Sequence, residues 1–175
     1  MELCLFGQLI KVTVDTAIAM SALVVSIIAL ILSLYFWKRS FRPIVTAMIK
    51  THSAGNEGTL FDLEILNSGA LPAKNIRLRA EQTSLNAALG EDSGQENKRR
   101  WLSCFEPENI IPILHNNGKV RCSFGLSRAN DRGFWKYKAQ IPITIDYEGW
   151  FGKRYTQAQV IHIIDSDSFT GFLWD

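Results

Sequence analysis

Ala139-Gln140-Ile141-Pro142-Ile143-Thr144-Ile145-Asp146-Tyr147 alternates cleanly, with Ile141, Ile143, Ile145 and Tyr147 on one face. A period of two marks a half-buried strand. Glu148 to Gly152 reads as the turn that follows it, and Tyr155 to Ile164 as the return strand. Upstream, Val120, Cys122, Phe124 and Leu126 alternate within Lys119 to Leu126. Asn116-Asn117-Gly118 before them is a hairpin signal, because Asn and Gly accept positive φ, and it predicts Ile110 to Leu114 as the partner strand. Trp101 to Phe105 is a further apolar alternation. Ser84 to Arg100 breaks the pattern and predicts a polar, mobile loop, with a helical turn at Leu85 to Leu89. Asn75 to Glu81 turns Ile76, Leu78 and Ala80 inward and Arg77 and Arg79 outward. Leu60 to Asn67 places Phe61, Leu63 and Ile65 opposite Asp62 and Glu64, and the His52 to Gly58 stretch predicts the turn that joins it to a first strand at Ile44 to Lys50. Seven or eight short strands, with turn signals about every ten residues, predict an all-β domain: an antiparallel sandwich with Greek-key connections, and no parallel sheet.

Leu66-Asn67-Ser68-Gly69-Ala70-Leu71-Pro72-Ala73-Lys74-Asn75-Ile76 resembles the "N-x-G-x-x-P-A-x-N" corner of immunoglobulin-like modules. It resembles those found in uncharacterised bacterial single-pass membrane proteins and in CARDB-type adhesion-like domains. Ile145 to Tyr155 is similar to their closing "Y-x-D-x-x-G-x-x-Y" strand pair, from which it departs by Glu148 and Trp150 around the first glycine. The two stretches cover about 22 residues, and the overall resemblance runs from Pro43 to about Asp165. It implies an immunoglobulin-like sandwich with a membrane-tethered binding or scaffolding role, and carries no catalytic residue across.

The chain has 175 residues, 47% of them hydrophobic, and 21 consecutive ones from Ala17 to Trp37 carry no charge. About 20 apolar residues span a bilayer as a helix. That run excludes a uniform soluble domain, and the lack of a second one excludes a multi-span transporter. A signal peptide is the competing reading, but its apolar region is shorter, about 7–15 residues, and ends at a small-x-small cleavage site. Here Tyr35-Phe36-Trp37-Lys38-Arg39 follows, which suits a permanent anchor. The predicted organisation is a short segment at 1–16, a transmembrane helix at 17–37, a basic juxtamembrane linker at 38–42, the sandwich at 43–165 and a tail at 166–175.

Trp37, Lys38, Arg39 and Arg42 are the expected membrane-interface residues, in contact with lipid headgroups. Only Lys11 stands against Glu2 and Asp15 on the other side, so the charge bias puts the N-terminus outside and the β-domain in the cytoplasm. Ala19, Ala22, Ser26, Ala29 and Ser33 recur at three- and four-residue spacings, a seam on which two helices can approach closely; chance spacing is the alternative.

Chemistry is sparse. Cys104, Cys122, His52, His115 and His162 have no metal-ligand spacing, and no nucleophile elbow or phosphate-binding glycine loop occurs. Three carboxylate pairs, Asp62 with Glu64, Asp146 with Glu148 and Asp165 with Asp167, read as solvated surface. From Lys38 onward 18 basic residues face 15 acidic ones, too small an excess for a nucleic-acid binder. Cys122 reads as a buried thiol, and a Cys104–Cys122 disulfide stays open for a domain facing an oxidising compartment. Two places are candidates for partner binding: Trp150 and Phe151 on the predicted turn, and Phe172 and Trp174 in the tail, either as a tethered ligand or packed along a sheet edge.

The expected function is therefore a membrane-anchored, non-enzymatic interaction module without cofactor or nucleic acid. Its partners are lipid, an unidentified protein and, through the helix, further copies of itself. The alternative is a membrane effector of a bacterial stress or antiphage system, oligomerising through the helix to perturb the bilayer. Either would sit in the bacterial inner membrane.

Overall fold

Between Val14 and Ser40 only Asp15, Lys38 and Arg39 carry charge, and nothing in the sequence breaks a helix. The computed structural model, which describes residues 2–55 and 57–166, forms one helix there, α1 (Glu2–Ser40). It is long and apolar enough to cross a membrane, as the helix of a signal sequence also is. It overruns the predicted 17–37 on both sides. Lys38 and Arg39 occupy its last turn, where cations complement the negative end of the helix dipole. The chain divides after Phe41, and the second unit begins at Arg42.

That second unit is built from two antiparallel sheets. The strands are β1 (Val45–Gly55), β2 (Gly58–Asn67), β3 (Ala73–Ala80), β4 (Ile111–Leu114), β5 (Lys119–Ser127), β6 (Gln140–Gly149) and β7 (Arg154–His162). One sheet has the order β1-β2-β5, the other β4-β3-β6-β7. Their alternating apolar faces supply a single buried cluster: Val45, Ala47, Phe61, Leu63 and Ile65 from the first sheet, Ile76, Leu78, Ile141, Ile143, Ile145 and Ile161 from the second. Apolar burial of this kind, about 25 cal/mol per Å2, is the main favourable term in holding two sheets together.

The flank formed by β1 and β7 is closed by side chains. The Gln159 amide on β7 accepts a hydrogen bond from the Ala47 N–H (3.1 Å) and donates one to the Ala47 carbonyl. Farther along β1, the Thr51 N–H donates to Ser166 Oγ (2.9 Å) and the Thr51 hydroxyl to Asp165 (2.7 Å).

Several expectations need correction. β1 runs on to Gly55 and β2 begins at Gly58, so most of the predicted 52–58 turn is strand. Residues 84–100 hold more helix than the one turn expected at Leu85 to Leu89: α2 (Gln82–Ala88) covers most of that turn and buries Leu85 and Ala88, and α3 (Gln95–Trp101) follows. Trp101 to Phe105 is not a strand but the end of α3 and a 3-10 turn at Ser103–Phe105. Asn117 does take positive φ (56°), yet the reversal makes no hairpin. β4 pairs with β3 and β5 with β2, so the turn carries the chain from one sheet to the other.

An aromatic group within the same cluster meets α3 through Trp101. Trp135 is fully buried, stacks on Phe124 (centroids 4.8 Å) and donates its indole N–H to the Phe124 carbonyl. Phe134 meets both Trp135 and Trp101 edge-on. Gly125, at φ +81°, lies against this cluster, and a Cβ there would meet Phe134 and the indole nitrogen.

Among the described residues, the corner at Asn67 is heavily bonded. Asn67 is fully buried; its Oδ1 accepts from the N–H groups of Ile44 (3.1 Å) and Gly69 (3.0 Å). Its Nδ2 faces the carbonyls of Leu71 (2.8 Å), Leu114 (3.1 Å) and His115 (3.3 Å). Gly69 packs so closely on Arg42, Pro43 and Ile44 that a Cβ would collide with their backbone. Buried backbone groups left without partners each cost about 1–3 kcal/mol. Asn67→Ala is therefore expected to destabilise the fold by about 3 kcal/mol or more, read from the denaturant midpoint of the full chain in detergent.

Candidate functional site

β6 and β7 are joined by a tight turn in which Gly152 donates to the Gly149 carbonyl (3.0 Å) and Gly149 to the Lys153 carbonyl (2.7 Å). Gly152 supplies the positive φ, +74°, that lets such a turn end in a bulge matching the strand twist. Trp150 and Phe151 fall at its two central corners, 49% and 74% exposed. The Lys74 ammonium sits 4.0 Å from the centre of the Trp150 ring. Trp150 thus leans toward β3 without being covered, and Phe151 projects freely.

The register across β3, β6 and β7 extends this tip into an ordered face. Lys74, Glu148 and Arg154 form one cross-strand row, and Arg77, Asp146 and Thr156 the next. Between the two rows, Asn75, at φ 51° in the bulge of β3, donates to Glu148 (3.0 Å). Arg154 Nε donates to the other Glu148 oxygen (3.3 Å). Asp146 accepts from the Thr156 hydroxyl (2.7 Å) and pairs with Arg79. Arg77 lies directly opposite Asp146, but that carboxylate is already engaged by Arg79 and Thr156, and Arg77 has no ion pair among the described residues. These groups line a shallow depression of about 510 Å3, which Tyr147 and Tyr155 border from strand positions whose side chains turn to the core. The two rings stack at 5.3 Å; burial pushes the Tyr147 phenol up from its ordinary pKa. A second depression, about 640 Å3, continues from Arg79 past Pro142, Ala158 and Val160. The face therefore runs from aromatic, through cationic, to apolar, and four cations meet two carboxylates in its upper part.

Of the residues singled out in the sequence, Trp150 and Phe151 come together here. Phe172 and Trp174 lie outside the described residues. Trp37 packs its ring on Phe41 (5.5 Å), and Arg39 lies 3.4 Å from the Tyr35 hydroxyl; Lys38 and Arg42 are exposed. Ala19, Ala22, Ser26, Ala29 and Ser33 are exposed along α1, and the Ser26 hydroxyl is satisfied by the Ala22 carbonyl (2.8 Å).

The carboxylates are less uniform than their spacing implied. Asp62 lies 3.2 Å from a His52 ring nitrogen. Glu64 is buried, contrary to expectation, and is held by Arg121 and, at 3.9 Å, by Lys119. Arg121 is its register partner on β5, so the covering charge comes from a strand far along the sequence. Arg77 and Arg79 do not meet Asp62 and Glu64, because β2 and β3 belong to different sheets. Cys122 is only half-buried, a partial correction to its reading as a core thiol, and Cys104 lies in the same condition. The sequence reading passed over Lys74, whose place above Trp150 depends on strand pairing.

An aromatic that serves the fold and one that serves a surface differ in what their loss costs. Trp135→Ala is expected to destabilise by about 3–5 kcal/mol, whereas Trp150→Ala and Phe151→Ala should each stay within about 1 kcal/mol, compared by chemical denaturation.

No curated protein and no solved structure shows significant similarity to the chain. A family model described as a domain of unknown function, DUF8453, matches residues 11–167, a span that takes in most of α1 and all seven strands. By that match the chain belongs to the DUF8453 family.

Proposed function

We propose that the chain is a membrane-anchored, non-enzymatic interaction module. α1 crosses a bacterial inner membrane with its N-terminus outside, and an immunoglobulin-like sandwich on the cytoplasmic side binds a protein partner through the β6–β7 tip. The observation that carries this reading is the placing of Trp150 and Phe151 at exposed turn corners, where neither ring contributes much to the fold. Large aromatics able to bury on contact are the usual anchors of interfaces. The cationic rows beside them favour a partner segment bearing carboxylates, since complementary charge steers association. The three-plus-four strand order supports the immunoglobulin-like reading, and Lys38, Arg39 and Arg42 after the span support the orientation.

A photo-crosslinking amino acid at Phe151, introduced in the full chain in its native membrane, is expected to capture one distinct protein at near-stoichiometric yield. Trp150→Ala and Arg77→Glu should each reduce that yield at least tenfold without lowering the amount of folded protein. Loss of neither would refute the assignment of the partner to this face.

The effector reading is the second one, favoured by the α1 seam. The stripe presents small side chains to a neighbouring helix, the Ser26 hydroxyl being bonded within its own helix. On that reading Ala22→Leu with Ala29→Leu abolishes a defined oligomer, scored by in-membrane crosslinking, together with any depolarisation on overexpression. An oligomer that survives both substitutions excludes it.

A further inference from the structure

We propose that Cys104 and Cys122 form an oxidation site, in which hydrogen peroxide converts the two thiols to a disulfide that fastens the Ser103–Phe105 turn to β5. Cys104 lies in that turn and Cys122 on β5, opposite Leu63 of β2. The fold brings them to one wall. Both line a cavity of about 320 Å3 beside Ile65, Leu78 and Ile111, and both are packed against the core cluster while keeping part of their surface accessible. The cavity opens on the β4/β5 flank, opposite the one that Gln159 closes, so a small oxidant has a route to the sulfurs.

The pair is asymmetric. The neighbouring Cys122 and burial push the Cys104 thiol up, while the neighbouring Cys104 holds Cys122 below the usual thiol range. The Cys104 sulfur faces the Trp101 carbonyl (4.0 Å), an acceptor that favours the protonated thiol, which leaves Cys122 as the nucleophile, because the thiolate is the reactive form. Its sulfur attacks one peroxide oxygen, the O–O bond breaks, and the departing hydroxide takes up a proton to leave as water, giving a Cys122 sulfenic acid. Cys104 sulfur then attacks the Cys122 sulfur. Its proton goes to the departing hydroxyl, and a second water leaves as the S–S bond forms. Two thiols lose two protons and two electrons, and one peroxide becomes two waters. The bond closes a loop containing β4 and the Asn116–Gly118 crossing, tying the segment that links the two sheets.

The test uses the full chain carrying Cys4→Ser, in detergent, exposed to hydrogen peroxide. Peptide mass spectrometry is expected to find residues 104 and 122 joined in one linked species, and the melting temperature to rise by about 5 °C, reversed by dithiothreitol. Without oxidant, limiting iodoacetamide should label Cys122 at least tenfold faster than Cys104. In Cys104→Ser, peroxide should stop at a dimedone-reactive Cys122. Retention of both thiols after peroxide, a bond between chains instead of within one, or equal labelling of the two cysteines would each overturn the assignment. The readouts need no partner protein, so they stand or fall separately from the role of Trp150.

Discussion

One buried amide holds the ends of this domain together. Asn67 closes β2, receives the backbone of Ile44 where the second unit begins, and faces the carbonyls that end β4 in the other sheet. An apolar residue here would remove side-chain contacts to five backbone groups in three parts of the chain, of which the His115 carbonyl keeps the Gly118 N–H and the rest would lose a buried polar contact. Gly69 completes the arrangement by letting the Arg42–Ile44 backbone approach where a side chain would stand. Apolar burial drives the sheets together, but it is non-directional. The amide fixes which strand ends meet.

That fixed end has a bearing on the candidate surface. Ala73, fully buried just past the corner, is opposite Gly149, so the same register that seats the corner sets the β6–β7 tip beside it. Tyr147 carries the connection inward, its hydroxyl reaching the Pro43 carbonyl at 3.4 Å. Trp150 and Phe151 are thereby presented from a rigid strand pair instead of a slack loop. Rigid presentation lowers the ordering cost of binding and favours affinity from a small contact.

Much of this was readable from the residues because period-two patterns and turn chemistry are local. β2, β3, β6 and β7 fall within a few residues of their predicted limits, and the exposure of Phe151 follows from its place on a turn. The misreadings share a cause. Asn117-Gly118 encodes a reversal but not the sheet that the next strand joins, which is decided by β2 offering β5 a longer ladder. Gln95 to Trp101 has too little apolar periodicity to declare a helix, and is held by Trp101 against Phe134. Glu64 points outward as its alternation requires, yet is buried by charges on a strand some 57 positions away. Distance along the chain, not weak chemistry, hid these features.

Gln159 gives the β1 edge a property that matters before the protein meets any partner. An unpaired strand edge is a template on which a foreign strand can nucleate a ladder. By engaging both the N–H and the carbonyl of Ala47, one side chain occupies the register point at which such growth would start, and the Thr51 contacts occupy another. A second copy approaching side by side would find the β1 edge already engaged at those two points. A glutamine serves here as a chain terminator.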